Sequence, residues 1–311
     1  LAESTAFTII GGQGGGAFSF DGRENAATLQ KLSVSVWSSQ VTGIEVWLTD
    51  GRRQTFGTVN SSAQEFEFEL GEFIKSLSLW GNGAGTRLGA IKFKTSHSRE
   101  FFAKMTKWGL EIEYKIDMGS GVCLGVHGRA GADIDCMGFL FINAIKSSVI
   151  QDMKYPTMHQ VLPNVQMEKI KEMEYKNDTS YTFESSKKIT KTSLWSTTNK
   201  IESTFSLSVK ASIPEAMEVE TGFSFTVGVE STHAVEESEE KTDTLTFPVN
   251  VPSNKTITVV ANIGRANVDL PYTAVLRITC VNGASLDAPL SGVYKGLTYT
   301  KMNTNTITAQ M

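Results

Sequence analysis

Along roughly the first 143 residues, apolar and polar positions alternate only in short runs, at 7–10, 32–37, 44–48, 66–70, 77–80, 91–94 and 110–114. Side chains along a strand point to two faces in turn, so each run reads as a half-buried strand. Turn signals such as Asp50-Gly51 and Gly81-Asn82-Gly83 break the runs. Short strands at this spacing predict a sandwich, barrel or prism. Between 144 and 163 the texture changes: Ser147-Ser148 and then Pro156 and Pro163 mark a junction. Beyond it glycine thins out and the alternating runs lengthen, at 244–251, 256–263 and 272–280. Long, polar-rich strands predict an elongated sheet with a thin core. The expected division is residues 1–145 and 146–311.

One stretch of the second half alternates more strictly than the rest. In 203–230 the odd positions Phe205, Leu207, Val209, Ala211 and Ile213, then Met217, Val219, Phe223, Phe225, Val227 and Val229, are apolar. The even positions are almost all Ser, Thr, Gly, Lys or Glu, and Pro214-Glu215-Ala216 offers a turn. A membrane β-strand needs about 9–11 residues with one face to lipid and one to water. Both halves meet that description. Burying such a face gains roughly 15–30 kcal/mol per hairpin before ordering costs. The gain needs a closed barrel, because a lone hairpin leaves edge N–H and C=O groups unpaired in lipid, so membrane insertion implies a homo-oligomer. Lys210, Glu218 and Glu220 would then line the lumen. The plainer alternative is an amphipathic hairpin that covers a sheet of the folded protein.

Composition narrows the partners. The chain has 311 residues with Gly 27, Pro 7 and a formal net charge of −4. β-branched and glycine-rich usage favours strands and turns, and the absence of a basic balance argues against nucleic acid as a partner. No apolar run approaches the roughly 20 residues of a membrane-spanning helix. Cys123, Cys136 and Cys280 form no C-x-x-C pair, so neither a disulfide framework nor a zinc site is expected. A Cys280 bridge between two chains, giving a homodimer, is the sharper alternative to plain packing. The Leu-Ala-Glu-Ser start lacks the features of a signal peptide, while sequons at Asn60, Asn177 and Asn254 suit secretion. A secreted protein acting at target membranes is the expectation.

Two glycine-bearing segments carry the candidate chemistry of the first half. Ile10-Gly11-Gly12-Gln13-Gly14-Gly15-Gly16-Ala17 follows a strand run and loosely fits a dinucleotide fingerprint. That fingerprint must open a helix, whereas Phe18-Ser19-Phe20-Asp21-Gly22 continues as strand and turn. The second segment is Val126-His127-Gly128-Arg129-Ala130-Gly131-Ala132-Asp133-Ile134-Asp135. Its Gly-x-x-x-Asp from Gly131 to Asp135 resembles the carbohydrate-binding signature of jacalin-related lectins. The opening Gly-Gly loop and the Ile91-Lys92-Phe93-Lys94-Thr95 strand are also similar to that family. The resemblance implies a β-prism of three Greek-key sheets over about the first 143 residues, with a sugar held between the two loops. It implies a site of Gly14, Gly15, Gly16, Gly131, Ala132, Asp133, Ile134 and Asp135. In it Gly15 and the backbone of Ala132 and Asp133 donate, Asp135 accepts, and mannose-type glycans, high-mannose among them, are the ligands. A carboxylate can take hydrogen bonds from two sugar hydroxyls, and glycines let backbone N–H groups come close. Ala132-Asp133 stand where that loop often carries an aromatic, so a stacking platform is missing.

The Ser/Thr-rich flanks of the hairpin, 177–202 and 231–247, look like those of aerolysin-type pore-forming proteins. The whole layout is similar to natterin-like, aerolysin-like proteins of fish. The resemblance implies an all-β chain: a jacalin-like β-prism, then an elongated, twisted aerolysin-type sheet. It implies a lectin that docks on glycans, oligomerises and inserts a β-barrel into a lipid membrane. A multivalent lectin with a C-terminal oligomerising stalk and no pore is the competing expectation. Catalysis is not expected: there is no His-Glu-x-x-His, no Gly-x-Ser-x-Gly, and His97, His127, His159 and His233 are scattered. No cofactor and no metal are expected.

Overall fold

The structure, a computed structural model, describes residues 2–310, and almost all of its regular structure is β. Two short 3-10 turns, Met158–Gln160 and Thr198–Ser203, are the helical segments among the described residues. No helix there is long and apolar enough to cross a membrane. Two compact units emerge. One holds the chain up to Ile150 with Thr197–Leu207 and Val275–Leu290; the other holds Gln151–Ser196, Ser208–Ala274 and the chain from Ser291 onward.

Three antiparallel sheets build the first unit. The first runs in the order Thr5–Ala6, Ile134–Ile142, Cys123–Ala130, Gly16–Asp21, with Ile10–Gly11 also on Ile134–Ile142. The second runs Glu100–Lys104, Leu88–Thr95, Ile74–Gly81, Tyr114–Lys115, and the third Arg53–Gly57, Val41–Leu48, Leu29–Val36, Gln64–Glu67. Most of the sequence runs reach these strands, but 7–9, Trp37, 68–70 and 110–113 lie outside any strand, and of the last run only Tyr114–Lys115 pairs. Period-2 alternation turns one face of each sheet inward, and Leu32, Val34, Ile44, Leu79, Ile91 and Phe139 meet in one core.

A charged pair is built into the edge of that unit. Glu72 has a fully buried side chain and takes hydrogen bonds from Arg99 Nε at 2.9 Å and Thr95 Oγ1 at 2.5 Å. Burial pushes its pKa up, but the Arg99 guanidinium, Thr95 and backbone bonding outweigh it and hold the carboxyl at about 2. The stability this supplies is present above the ordinary value of 4.5 and is lost as the pH falls toward 2. Arg99→Met should therefore cost about 1–3 kcal/mol, since it leaves a buried carboxylate uncompensated. In thermal unfolding the gap from the parent should be widest at neutral pH and shrink between the two pKa values.

In the second unit, the first part of Lys255–Cys280 is flanked on its two edges, by Val165–Lys176 along 256–266 and by Asn303–Gln310 along 255–262. Thr179–Thr197 pairs with Glu236–Val251. Tyr175, Phe183, Val249, Val259 and Ala261 form a small core, thin as the polar-rich runs predict. Trp195 is fully buried; its Nε1 donates to Tyr155 Oη at 3.2 Å, and its ring lies 5.6 Å from that of His233.

Several expectations are corrected here. Ser147 and Ser148 lie inside a strand, Ile145–Lys154, because alternation carries the chain through the junction. Cys280 is fully buried, with its Sγ 3.7 Å from the Ser4 carbonyl, so the thiol of this fold is not presented to a second chain. The hairpin turn is also displaced. Pro214 does not turn the chain but opens a strand, Pro214–Val219, a place where a missing N–H is tolerated. That strand pairs with Gly222–Val227 around Glu220-Thr221, and Gly222 takes φ +136, which favours glycine. Leu207–Ala211 pairs separately with Ser231–Ala234.

The displaced turn changes which residues share a face. Directly opposed residues point the same way, and here Ala216 faces Phe225, Met217 faces Ser224 and Glu218 faces Phe223. Odd positions on one strand thus meet even positions on the other. Met217 and Val219 fall on the opposite face from Phe223 and Phe225, against the expectation of one apolar face. Ala216 and Phe225 are buried, while Met217, Val219, Val227 and Val229 are exposed, Val229 at 91%. Phe205 and Val209 are buried, and Leu207 and Ile213 half-buried. Lys210, Glu218 and Glu220 are exposed; Lys210 Nζ lies 3.5 Å from Glu230.

Candidate functional site: a glycine loop against a carboxylate

Antiparallel pairing brings the two glycine-bearing segments together. Cys123–Ala130 pairs with Gly16–Asp21 so that Ala130 stands opposite Gly16, and Ile134–Ile142 pairs with Ile10–Gly11. The Gly12 N–H donates to the Asp135 carbonyl at 2.7 Å and ties the two loops at their base. The Asp135 side chain lies under the glycines. A Cβ on Gly14 would stand 2.7 Å from its Oδ1, and one on Gly15 would press on Oδ2. Gly15 also has φ +70, so a side chain there is excluded twice over.

The other loop is a tight turn in which the Gly131 N–H donates to the Asp133 carbonyl at 3.1 Å. Thr58 Oγ1 donates to the Ala132 carbonyl at 2.8 Å, and Gln40 Nε2 to Asp133 Oδ2 at 3.1 Å. Ile134 is the exception among the expected site residues. Alternation along the strand aims its side chain into the core, where it is fully buried, so it can offer the site only backbone.

Two arginines that the sequence reading did not single out complete the site. Arg129 Nε donates to the Gly14 carbonyl at 3.1 Å and its Nη2 to the Gly15 carbonyl at 2.6 Å, which holds the glycine loop from behind. Arg87 reaches in from the loop between Ile74–Gly81 and Leu88–Thr95: its Nη1 stands 3.0 Å from Asp135 Oδ1 and its Nε 3.8 Å from Asp133 Oδ2. Nothing in the local pattern near residue 87 marks it, because its partners are more than forty positions away. His127 is not part of the site. Its Nε2 is 2.8 Å from Asp21 Oδ2, and its ring lies 5.0 Å from that of Phe7.

A polyhydroxyl ring suits this arrangement, with an anionic acceptor buried at the floor and backbone N–H groups with no side chain in the way. Among the described residues, Glu69, Glu72 and His97 also bring ligand atoms within 4.8 Å of one another. Arg99 already pairs with the central carboxylate of that group.

The jacalin-like lectin domain family matches residues 7–140, which contain the whole site. The crystal structure of the lamprey immune protein is 80% identical, with a TM-score of 0.96; the match covers 99% of this chain and 100% of that one. This chain belongs to the lamprey immune protein family. Its jacalin-like lectin domain is the three-sheet unit with the Gly14-Gly15 loop over Asp135. The wild-type Malaysian banana lectin is 23% identical over 45% of this chain and 97% of its own, with a TM-score of 0.37. A mannose binding jacalin related lectin from Ananas comosus is 19% identical over 45% of this chain and 99% of its own, with a TM-score of 0.37. No curated protein matches the chain.

Proposed function

We propose that this protein is a secreted, glycan-targeted pore-former of the kind a host uses in defence. Residues 1–145 dock on mannose-type glycans, and residues 146–311 act as an aerolysin-type domain that oligomerises and inserts the 203–230 hairpin. One observation carries the docking half: Asp135 lies against Gly14 and Gly15, neither of which puts a side chain of its own between a sugar ring and the carboxylate. The membrane half is supported by the strict alternation of 203–230 and by the exposure of Met217, Val219, Val227 and Val229 in the folded chain.

Release of a trapped dye separates this reading from a lectin with a non-inserting stalk. Vesicles bearing a mannose-type glycolipid should leak on addition of the protein, and vesicles without it should leak much less. Binding without leakage at any protein concentration would favour the stalk.

Two further outcomes follow. Because Arg87 shares Asp135 with an incoming hydroxyl, Arg87→Ala should raise the affinity for methyl mannoside by up to about fivefold, the worth of a part-exposed ion pair. Isothermal titration reads this directly, and a fall would make the guanidinium a sugar contact instead. With Glu218 and Glu220 outweighing Lys210 on the lumen face, planar-bilayer currents should prefer cations. Replacing both carboxylates by Gln should remove the preference.

A further inference from the structure

The hairpin that is folded in this structure cannot by itself present one apolar face. Around the Glu220-Thr221 turn the pairing matches odd with even residues, so Met217 and Val219 point away from Phe223 and Phe225. A one-residue change of register moves every side chain of a strand to the other face. Keeping the turn near residue 221 and slipping by one would unite the apolar positions. It would also put Glu215 in the middle of the lipid face, and would leave Ser231 and His233 opposite Ala211 and Val209.

A second pairing of the same residues has neither fault. Centred on Glu215, it sets Phe205 against Phe225, Leu207 against Phe223, Ala211 against Val219 and Ile213 against Met217. The apolar alternation then begins and ends at the same level on both strands, from Ile201 opposite Val229 to the tip, with Ser203 and Thr221 the polar side chains on that face before the tip. The other face is polar throughout: Ser206 meets Ser224, Ser208 meets Gly222, Ser212 meets Glu218, and Lys210 comes to lie opposite Glu220. Pro214-Glu215-Ala216 becomes a three-residue turn, with its single charge at the tip, where water is reached first.

We propose that the lipid-facing surface of this protein is built by re-pairing: the hairpin opens at Glu220-Thr221 and closes again around Glu215 as it enters the membrane. This rests on the pore-forming reading above. Re-pairing also accounts for two features of the folded chain. The register found here buries Ala216 and Phe225 and divides the remaining apolar side chains between faces, so no continuous lipid-binding stripe exists before insertion. The pairing of Leu207–Ala211 with Ser231–Ala234 is short and must be given up, because residues 207–211 are needed opposite 219–223.

Two double-cysteine variants test the idea, and the native Cys123, Cys136 and Cys280 are buried and unpaired. Met217→Cys with Ser224→Cys ties directly opposed residues of the folded hairpin to each other without tying the hairpin to the rest of the protein. Its oxidised form should dock on glycolipid vesicles normally and release dye at least tenfold more slowly, with reductant restoring the rate. Ser206→Cys with Ser224→Cys should close its disulfide only on vesicles and leave release intact. Oxidised Met217→Cys/Ser224→Cys protein that releases dye at the parent's rate would overturn the re-pairing, as would a failure of the second pair to close in assembled pores. Parent protein that releases no dye would instead end the pore-forming reading itself.

Discussion

A Val219→Lys protein is expected to bind glycolipid vesicles as tightly as the parent and to release none of their contents. In the folded chain Val219 is 38% exposed, so the lysine meets water and the fold loses nothing. In a barrel it stands on the lipid face several residues from the hairpin tip. A lysine near the bilayer midplane costs about 2–4 kcal/mol on such a face, and the cost recurs in every chain of the ring. Dye release and a vesicle pull-down, run on one preparation, check both halves of the expectation. Leakage close to the parent's would mean that this strand does not meet lipid.

The second large effect belongs to the other unit. Asp135→Ala should lower glycan affinity at least a hundredfold, since hydrogen bonds to a charged group are worth about 1.5–3 kcal/mol each and the carboxylate offers two. The fold should hold. The Asp135 carbonyl still accepts from Gly12, and Arg87, already 36% exposed at its side chain, turns to water. A glycan array and a melting curve read the two outcomes. Leakage from glycolipid vesicles should fall in step with binding, while leakage driven by very high protein concentration should survive, because the inserting residues are untouched.

Much of the fold was legible because it depends on local alternation. The short runs at 32–37, 44–48, 77–80 and 91–94 became the strands Leu29–Val36, Val41–Leu48, Ile74–Gly81 and Leu88–Thr95, since one buried face per sheet is all that their pattern demands. The run at 110–114 failed except at its end. It contains Gly109 at one flank and alternating acidic residues within, and only Tyr114–Lys115 finds a ladder partner, opposite Ser78 and Leu79. Gly14, Gly15 and Asp135 were legible as a motif, and pairing places them together. Arg87 was not, because a salt bridge from a loop to a distant strand leaves no periodic trace.

Residues 203–230 mark the boundary between the two kinds of knowledge. The sequence by itself determined that this segment is two-faced, that both of its arms are long enough to cross a bilayer, and that the polar positions carry Lys210, Glu218 and Glu220. It also determined the glycine loop and the carboxylate that belongs under it. Which residue lies opposite which was decided only by the tertiary structure. Backbone hydrogen bonds are equally good in several registers, and the choice falls to whatever the side chains can bury. Here the body of the protein takes Ala216 and Phe225, so the turn settles at Glu220-Thr221. Were the hairpin to enter lipid as proposed, the same backbone would face a different solvent, and the burial that decides the register would change with it.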